Sequence, residues 1–257
     1  MGHRLRLLPT GRLKVPAPLV YWMRRFADWV DLEFQLGLIQ GDGKTVVVNT
    51  GFPRDTDQLA AGWRERLGPS AVLERRPEWE PATALPAAGV DPATVDFVVI
   101  TPLQIYATGN LRLFPKARIC VSRRGWIEDV MAPSTPRHMP RARCISDDDF
   151  HWLLGEGRDR LLLLDDVHEL LPGLVCRWAG VHHRSSLLVE VSTARGLAIL
   201  SDCAFHFANV EEDISLGIAE SVLEGRAVYA DIRQRARHFL PLCEPLLRQR
   251  YPDGVVA

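Results

Sequence analysis

Short apolar runs alternate with polar, glycine-rich and proline-rich segments along the whole chain, and their spacing predicts strands interleaved with helices. The stretch from Val95 to Pro115 is apolar and β-branched up to Thr101. A polar loop and a Gly109-Asn110 turn follow, and then Leu111, Leu113 and Phe114. That pattern describes a buried strand that delivers a loop at its C-terminal edge, where open α/β sheets present their chemistry. Phe34 to Ile39 and Thr45 to Val48, joined by Gly41-Asp42-Gly43-Lys44, read as a hairpin. Asp55 to Leu67 carries Leu59, Ala60, Trp63 and Leu67 at helical spacing.

Prolines from Pro69 to Pro92 mark a connecting region with at most short helices, closed by an Asp91-Pro92 helical start. Ala117 to Val121 is the next strand, Arg123 to Met131 a helix and Ala132 to Ser146 a long loop. Asp147 to Asp149 open a further helix over Phe150 to Leu154. Leu161 to Leu164, Leu174 to Trp178, Ser186 to Val191 and Leu197 to Leu200 are the strands of a second sheet. Helices over Ser215 to Leu223 and Arg226 to Phe239 follow. Val20 to Val30, rich in aromatics, is either a helix or a loop over a pocket mouth, with most of its side chains packed on the core. The expected fold is α/β, an αβ/βα sandwich of two mixed β-sheets flanked by helices, as one domain over residues 1–257.

Composition narrows the functions. With 257 residues, 47% of them hydrophobic, the chain can bury one sizeable core. A formal charge of −1 offers no general attraction to nucleic acid or an anionic membrane. No apolar run is long enough to span a bilayer, and the basic start MGHRLRLLPTGRLK lacks the apolar stretch of a signal peptide, so a cytoplasmic protein is expected. The five scattered cysteines have no CxxC spacing and read as buried small hydrophobes. The expected partner is a small-molecule substrate or ligand; a homodimer is left open.

Two segments carry candidate chemistry. Gly180-Val181-His182-His183-Arg184-Ser185-Ser186 places two imidazoles, a guanidinium and two hydroxyls between apolar strands. It reads either as a polar loop satisfying its own backbone or as the edge of a pocket. Asp202 follows a buried strand. It either caps a helix or pairs with an arginine, or it fixes the tautomer of His182 or His183 as half of an acid/base pair.

Thr101, Gly109, Leu111-Arg112, Phe114-Pro115 and Ala117, followed by the Ser201-Asp202 pair, resemble the metallo-β-lactamase superfamily in its lactonase-like branch. There the strand leads into T-H-x-H-x-D-H. The ligand positions of that motif fall here on Pro102, Gln104, Tyr106 and Ala107, and Asn49 stands where the family has Asp. Cys243 occupies the position of the last His. Pro and Ala cannot ligate a metal, and Gln and Tyr are poor zinc donors. The resemblance therefore implies the sandwich and its pocket, with no metal and no other cofactor. The expected catalytic residues are His182 or His183 as base, Asp202 orienting it, Ser185 beside them as a candidate nucleophile, and Arg184 or Tyr106 facing an oxyanion. The substrate contacts implied are Gln104, Tyr106, Thr108, His206 and Phe207. The alternatives are a non-catalytic binding relative, and a single metal on Asp202, a His and Cys243.

Overall fold

The computed structural model describes residues 2–132 and 140–257. The first strand, β1 (Arg4–Pro16), buries Leu5, Leu7, Leu13 and Val15 on alternating positions, with a register shift between Pro9 and Gly11. It pairs antiparallel with β2 (Trp29–Gly41), which turns back into β3 (Lys44–Val48). Helix α1 (Asp57–Leu67), the short β4 (Leu73–Glu74) and α2 (Pro81–Ala87) come next. Strand β5 (Phe97–Val99), the short helix α3 (Ile105–Thr108) and β6 (Arg118–Ser122) lead into α4 (Arg123–Gly125), which runs on as a π-helical turn over Trp126–Val130. After α5 (Asp147–Leu154) come β7 (Leu161–Leu164), β8 (Val167–Leu171), β9 (Leu174–Trp178), β10 (Leu187–Thr193) and β11 (Gly196–Ser201). The chain closes with α6 (Phe207–Glu211), α7 (Val222–Arg235), β12 (His238–Pro241) and α8 (Leu247–Arg250).

One sheet has the order β4-β1-β2-β3-β5-β6-β7 and the other β12-β11-β10-β9-β8. Both are mixed: β3, β5, β6 and β7 run parallel beside an antiparallel hairpin, and β12 adds parallel to an otherwise antiparallel meander. Leu5, Ile39, Val48 and Val99 from the first sheet meet Cys176, Val189, Ala198 and Leu200 from the second in the central core. The outer face of the first sheet packs on α2, α4 and α5 through Leu85, Trp126 and Leu153. That of the second packs on α7 through Tyr229 and Ile232. The architecture is the expected sandwich, with Phe97–Val99 and Gly196–Ser201 as inner strands, but Leu161–Leu164, expected in the second sheet, instead extends the first as the parallel neighbour of β6.

Several elements differ from their reading in the sequence. The N-terminal segment is a 13-residue strand, and Val167–Leu171 adds an edge strand. Ile105–Thr108 is helical rather than a loop. Of the helix expected over Ser215 to Leu223 only Val222 and Leu223 are helical: before them the Ile218 amide donates to Leu19, and a Cβ on Gly217 would lie 1.6 Å from the Pro18 oxygen, so the chain lies flat against the turn after β1. The next helix begins at Val222 and ends at Arg235, because His238–Pro241 leaves it to pair with β11. Val20 to Val30 is a turn-rich segment in which Val20 and Tyr21 are buried while Trp22, Met23 and Phe26 are exposed. Positions 133–139 of the expected long loop lie outside the described residues. All five cysteines are buried free thiols. Among the described residues no helix is long and apolar enough to cross a membrane.

Candidate active site

The parallel strands β3 and β5 end side by side, and the residues after them are tied together. Asn49, at φ 65°, donates from its amide to the Thr101 carbonyl and accepts from the Thr101 amide, 2.8 Å each way. An aspartate there would lack the donor. Asp202, at the end of β11, receives three hydrogen bonds: the hydroxyls of Thr101 and Ser186, and Nδ1 of His182 at 3.1 Å. Because the carboxylate only accepts, Nδ1 of His182 carries the proton and Nε2 holds the lone pair.

The β9–β10 connection aims the two imidazoles. Gly180 and Val181 both adopt positive φ, 61° and 67°, an uncommon backbone for a β-branched residue. It is held by Glu224, which accepts from the Val181 amide, and by the Val181 carbonyl, which accepts from the Glu220 and Ser221 amides. His183 bonds Glu220 through Nδ1 at 3.1 Å, and its ring lies 4.0 Å centroid to centroid from that of His182. Burial, and then His183, lower the pKa of His182 to about 4. Burial raises that of Asp129, which accepts from the Ser185 amide beside His183, to about 6.

Both histidines line a cavity of about 130 Å³ with Gln104, Ile105, Tyr106 and Phe205. Its walls are apolar: Leu13 and Val15 from β1, Leu32 and Phe34 from β2, Leu59 and Trp63 from α1. Burial holds the Tyr106 phenol well above its usual pKa, so it stays a donor. Behind Tyr106 a void of about 10 Å³ touches Asn49, Thr101, Asp202 and Cys243, the space of about one water.

The sequence-predicted residues divide. His182, His183, Gln104 and Tyr106 share the cavity, and Asp202 supports His182 from behind. Arg184 is turned away: its guanidinium bonds Glu128 and Glu224 and stacks on Trp178, out of reach of an oxyanion. Ser185 is fully buried, and its hydroxyl accepts from the Leu103 amide instead of facing a histidine. The Thr108 hydroxyl bonds the carbonyls of Gln104 and Cys144. His206 sits apart, donating from Nε2 to the Asp31 carbonyl and accepting from Tyr21 at 2.6 Å. Phe207 packs in the central core under Arg250, and its neighbour Phe205 lines the cavity instead. Glu220, Asp129 and the β1 wall were missed in the sequence. Only the wall left a signal there, the alternation of Leu13 and Val15 with polar residues.

The donor set does not fit a dinuclear metal pair. Each Asp202 oxygen is already bonded to hydroxyl or N–H donors, and the positions that lead into and through α3 are Pro102, Gln104, Tyr106 and Ala107, which offer no imidazole or carboxylate. Among the described residues no three His, Cys, Asp or Glu side chains are grouped to hold a metal ion.

The architecture around this site is the metallo-β-lactamase fold, and the solved structures it resembles lie in the lactonase-like branch. An N-acyl homoserine lactone hydrolase with N-hexanoyl-L-homoserine at its catalytic metal centre superposes with a TM-score of 0.77 at 13% identity, over 100% of both chains. The dizinc quorum-quenching lactonase AidC gives 0.65 at 14% identity, over 98% of this chain and 89% of that one. The hydrolase AbOPH of the β-lactamase superfamily gives 0.66 at 12%, over 99% and 89%. At these identities the likeness is one of fold. No family model matches the sequence, and no curated protein matches it.

Proposed function

We propose that the chain is an enzyme that acts without a metal, by histidine–carboxylate acid–base chemistry, on a small ester, lactone, thioester or secondary-metabolite intermediate. One observation carries this: two neighbouring imidazoles each tie Nδ1 to a carboxylate, and both line one apolar-walled cavity with no protein partner at Nε2 among the described residues. His183 is the proton acceptor, since Glu220 and Asp129 lie beside it to face the charge it takes up. His182 stays neutral and orients the water or substrate hydroxyl. Tyr106 and the Gln104 amide donate to the oxygen on which negative charge develops. The same set serves hydrolysis of an activated acyl group or proton removal in an elimination or cyclisation.

The test is a panel of chromogenic esters, lactones and thioesters, assayed with zinc and with a chelator. Turnover indifferent to both is expected. His183→Gln should lower kcat/KM by about 10²-fold or more, while Ser185→Ala retains it. Turnover that appears only with zinc overturns the reading. A second reading, a non-catalytic binder of a small ligand, is favoured by the weak basicity of His182 and by the Ser185 hydroxyl being turned away from both rings. It prevails if no substrate turns over while ligands still bind.

A further inference from the structure

We infer that Glu220 relays protons between the cavity and bulk water through Nδ1 of His183, while the His182–Asp202 pair is closed to exchange. This rests on the reading above that His183 accepts a proton at Nε2, and it traces where that proton goes. The two imidazoles are backed alike and exposed unlike: Nδ1 of each lies 3.1 Å from a carboxylate oxygen. The Asp202 side chain is 2% exposed and its oxygens also hold the hydroxyls of Thr101 and Ser186, so a proton arriving there has no open route to solvent. The Glu220 side chain is 36% exposed, against 8% for His183, and it does not line the cavity. One carboxylate therefore touches a buried imidazole on one side and solvent on the other.

Its position is fixed by the backbone. The Glu220 amide donates to the Val181 carbonyl at 2.7 Å, and the next residue, Ser221, caps α7. Asp129, the other acid beside His183, accepts from the Ser185 amide and bonds neither ring nitrogen. Arg184, the cation next to His183 in sequence, pairs with Glu128 and Glu224 instead. When Nε2 of His183 takes a proton the ring becomes an imidazolium whose Nδ1–H points at Glu220. The Nδ1–H bond then breaks, its electron pair stays on nitrogen, and an O–H bond forms on Glu220, which passes the proton to water. The ring is neutral with its proton on Nε2. It returns to its first tautomer when Nε2 gives that proton to the leaving oxygen and Glu220, reprotonated by water, returns one to Nδ1. Glu220 acts through His183, so it is a positioning residue with a path to solvent.

The test follows exchange of the two Nδ1 protons with water by nitrogen-15 NMR, with no substrate present. The Nδ1 proton of His183 should exchange at least about tenfold faster than that of His182. Glu220→Gln keeps an acceptor for Nδ1–H and cannot carry a proton, so it should slow the His183 proton at least about tenfold when compared with the parent at equal protonation of the ring; Glu220→Asp should recover part of the rate. A His183 proton as slow as that of His182, or one whose exchange Glu220→Gln leaves unchanged, overturns the inference. On any substrate that the chain turns over, Glu220→Gln should lower kcat and leave KM nearly unchanged. Fast exchange through Glu220 in a chain that turns over nothing sinks only the catalytic reading. Turnover with exchange indifferent to Glu220→Gln sinks only the relay.

Discussion

Burial moves two groups on either side of the His183 loop in opposite directions. His182 falls from 6.5 to about 4, so the folded chain binds its proton less readily than the unfolded chain. Its contribution to stability is complete above pH 6.5 and is lost as the pH falls toward 4. Asp129 rises from 3.8 to about 6, so its contribution has the other sign and grows as the pH falls through 6 toward 4. Each shift corresponds to about 3 kcal/mol, and in the parent the two nearly cancel over this window. Asp129→Asn should therefore lose about 3 kcal/mol more than the parent between pH 6.5 and 4 in urea titrations, and His182→Asn should gain relative to it. An Asp129→Asn curve parallel to the parent at every pH contradicts the assignment. An imidazole in water titrates near 6.5, and burial moves that of His182 lower, because solvation is a property of the fold. The pairing of Asp202 with a histidine was legible in the sequence; Glu220 and Asp129, which come from distant segments with no motif, were not. Arg184 and Ser185 adjoin the histidines in sequence, yet the loop turns them to other sides, so adjacency misled.

Helix α7 begins where a side chain satisfies its first free amides rather than where apolar spacing starts. Ser221 accepts from the Glu224 amide, and Glu224 in turn receives the Val181 amide and the Arg184 guanidinium. Ser221→Ala should destabilise the fold by about 1 kcal/mol in denaturant titrations. No loss of stability would place the helix start elsewhere. Gly125 also positions the histidine loop. A Cβ there would lie 2.3 Å from Ser185 Cα, so α4 and the loop touch backbone to backbone. Gly125→Ala should destabilise by roughly 1–3 kcal/mol and lower binding in the cavity, because the contact cannot widen without moving the loop. Central strands were legible because β-branched runs such as Val46 to Val48 and Val98 to Ile100 are buried on both faces. Strand β1 alternates apolar and polar positions around a proline and a glycine, and β12 is a short run that continues a helical pattern. Tertiary pairing decides both, and pairing is not written in local periodicity.

Across the whole molecule, Asp202 holds the two sheets together. Thr101, from the end of β5 in the first sheet, donates to Asp202 of the second and accepts from the Leu187 amide of β10. Ser186 and His182 close the cluster on the same carboxylate. A hydrogen-bonded carboxylate here does what a shared cation could do, joining the halves of the sandwich at the ends of their strands. Asp202→Ala would strand two hydroxyls and an imidazole N–H in a buried site, at a cost of about 3 kcal/mol or more. Zinc makes the decisive comparison. A metal bound with a Kd of about 1 μM and present at about 0.1 mM would add about 2.7 kcal/mol. For a chain of this size that would raise Tm by several degrees, roughly 2–4 °C per kcal/mol. With the oxygens of Asp202 already engaged, the expected change in Tm on adding zinc or a chelator is below about 1 °C, while Asp202→Ala melts well below the parent in either solution. A parent stabilised by zinc and destabilised by the chelator would show that the carboxylate gives up its hydroxyls for a cation, and the hydrogen-bonded clasp would have to be abandoned.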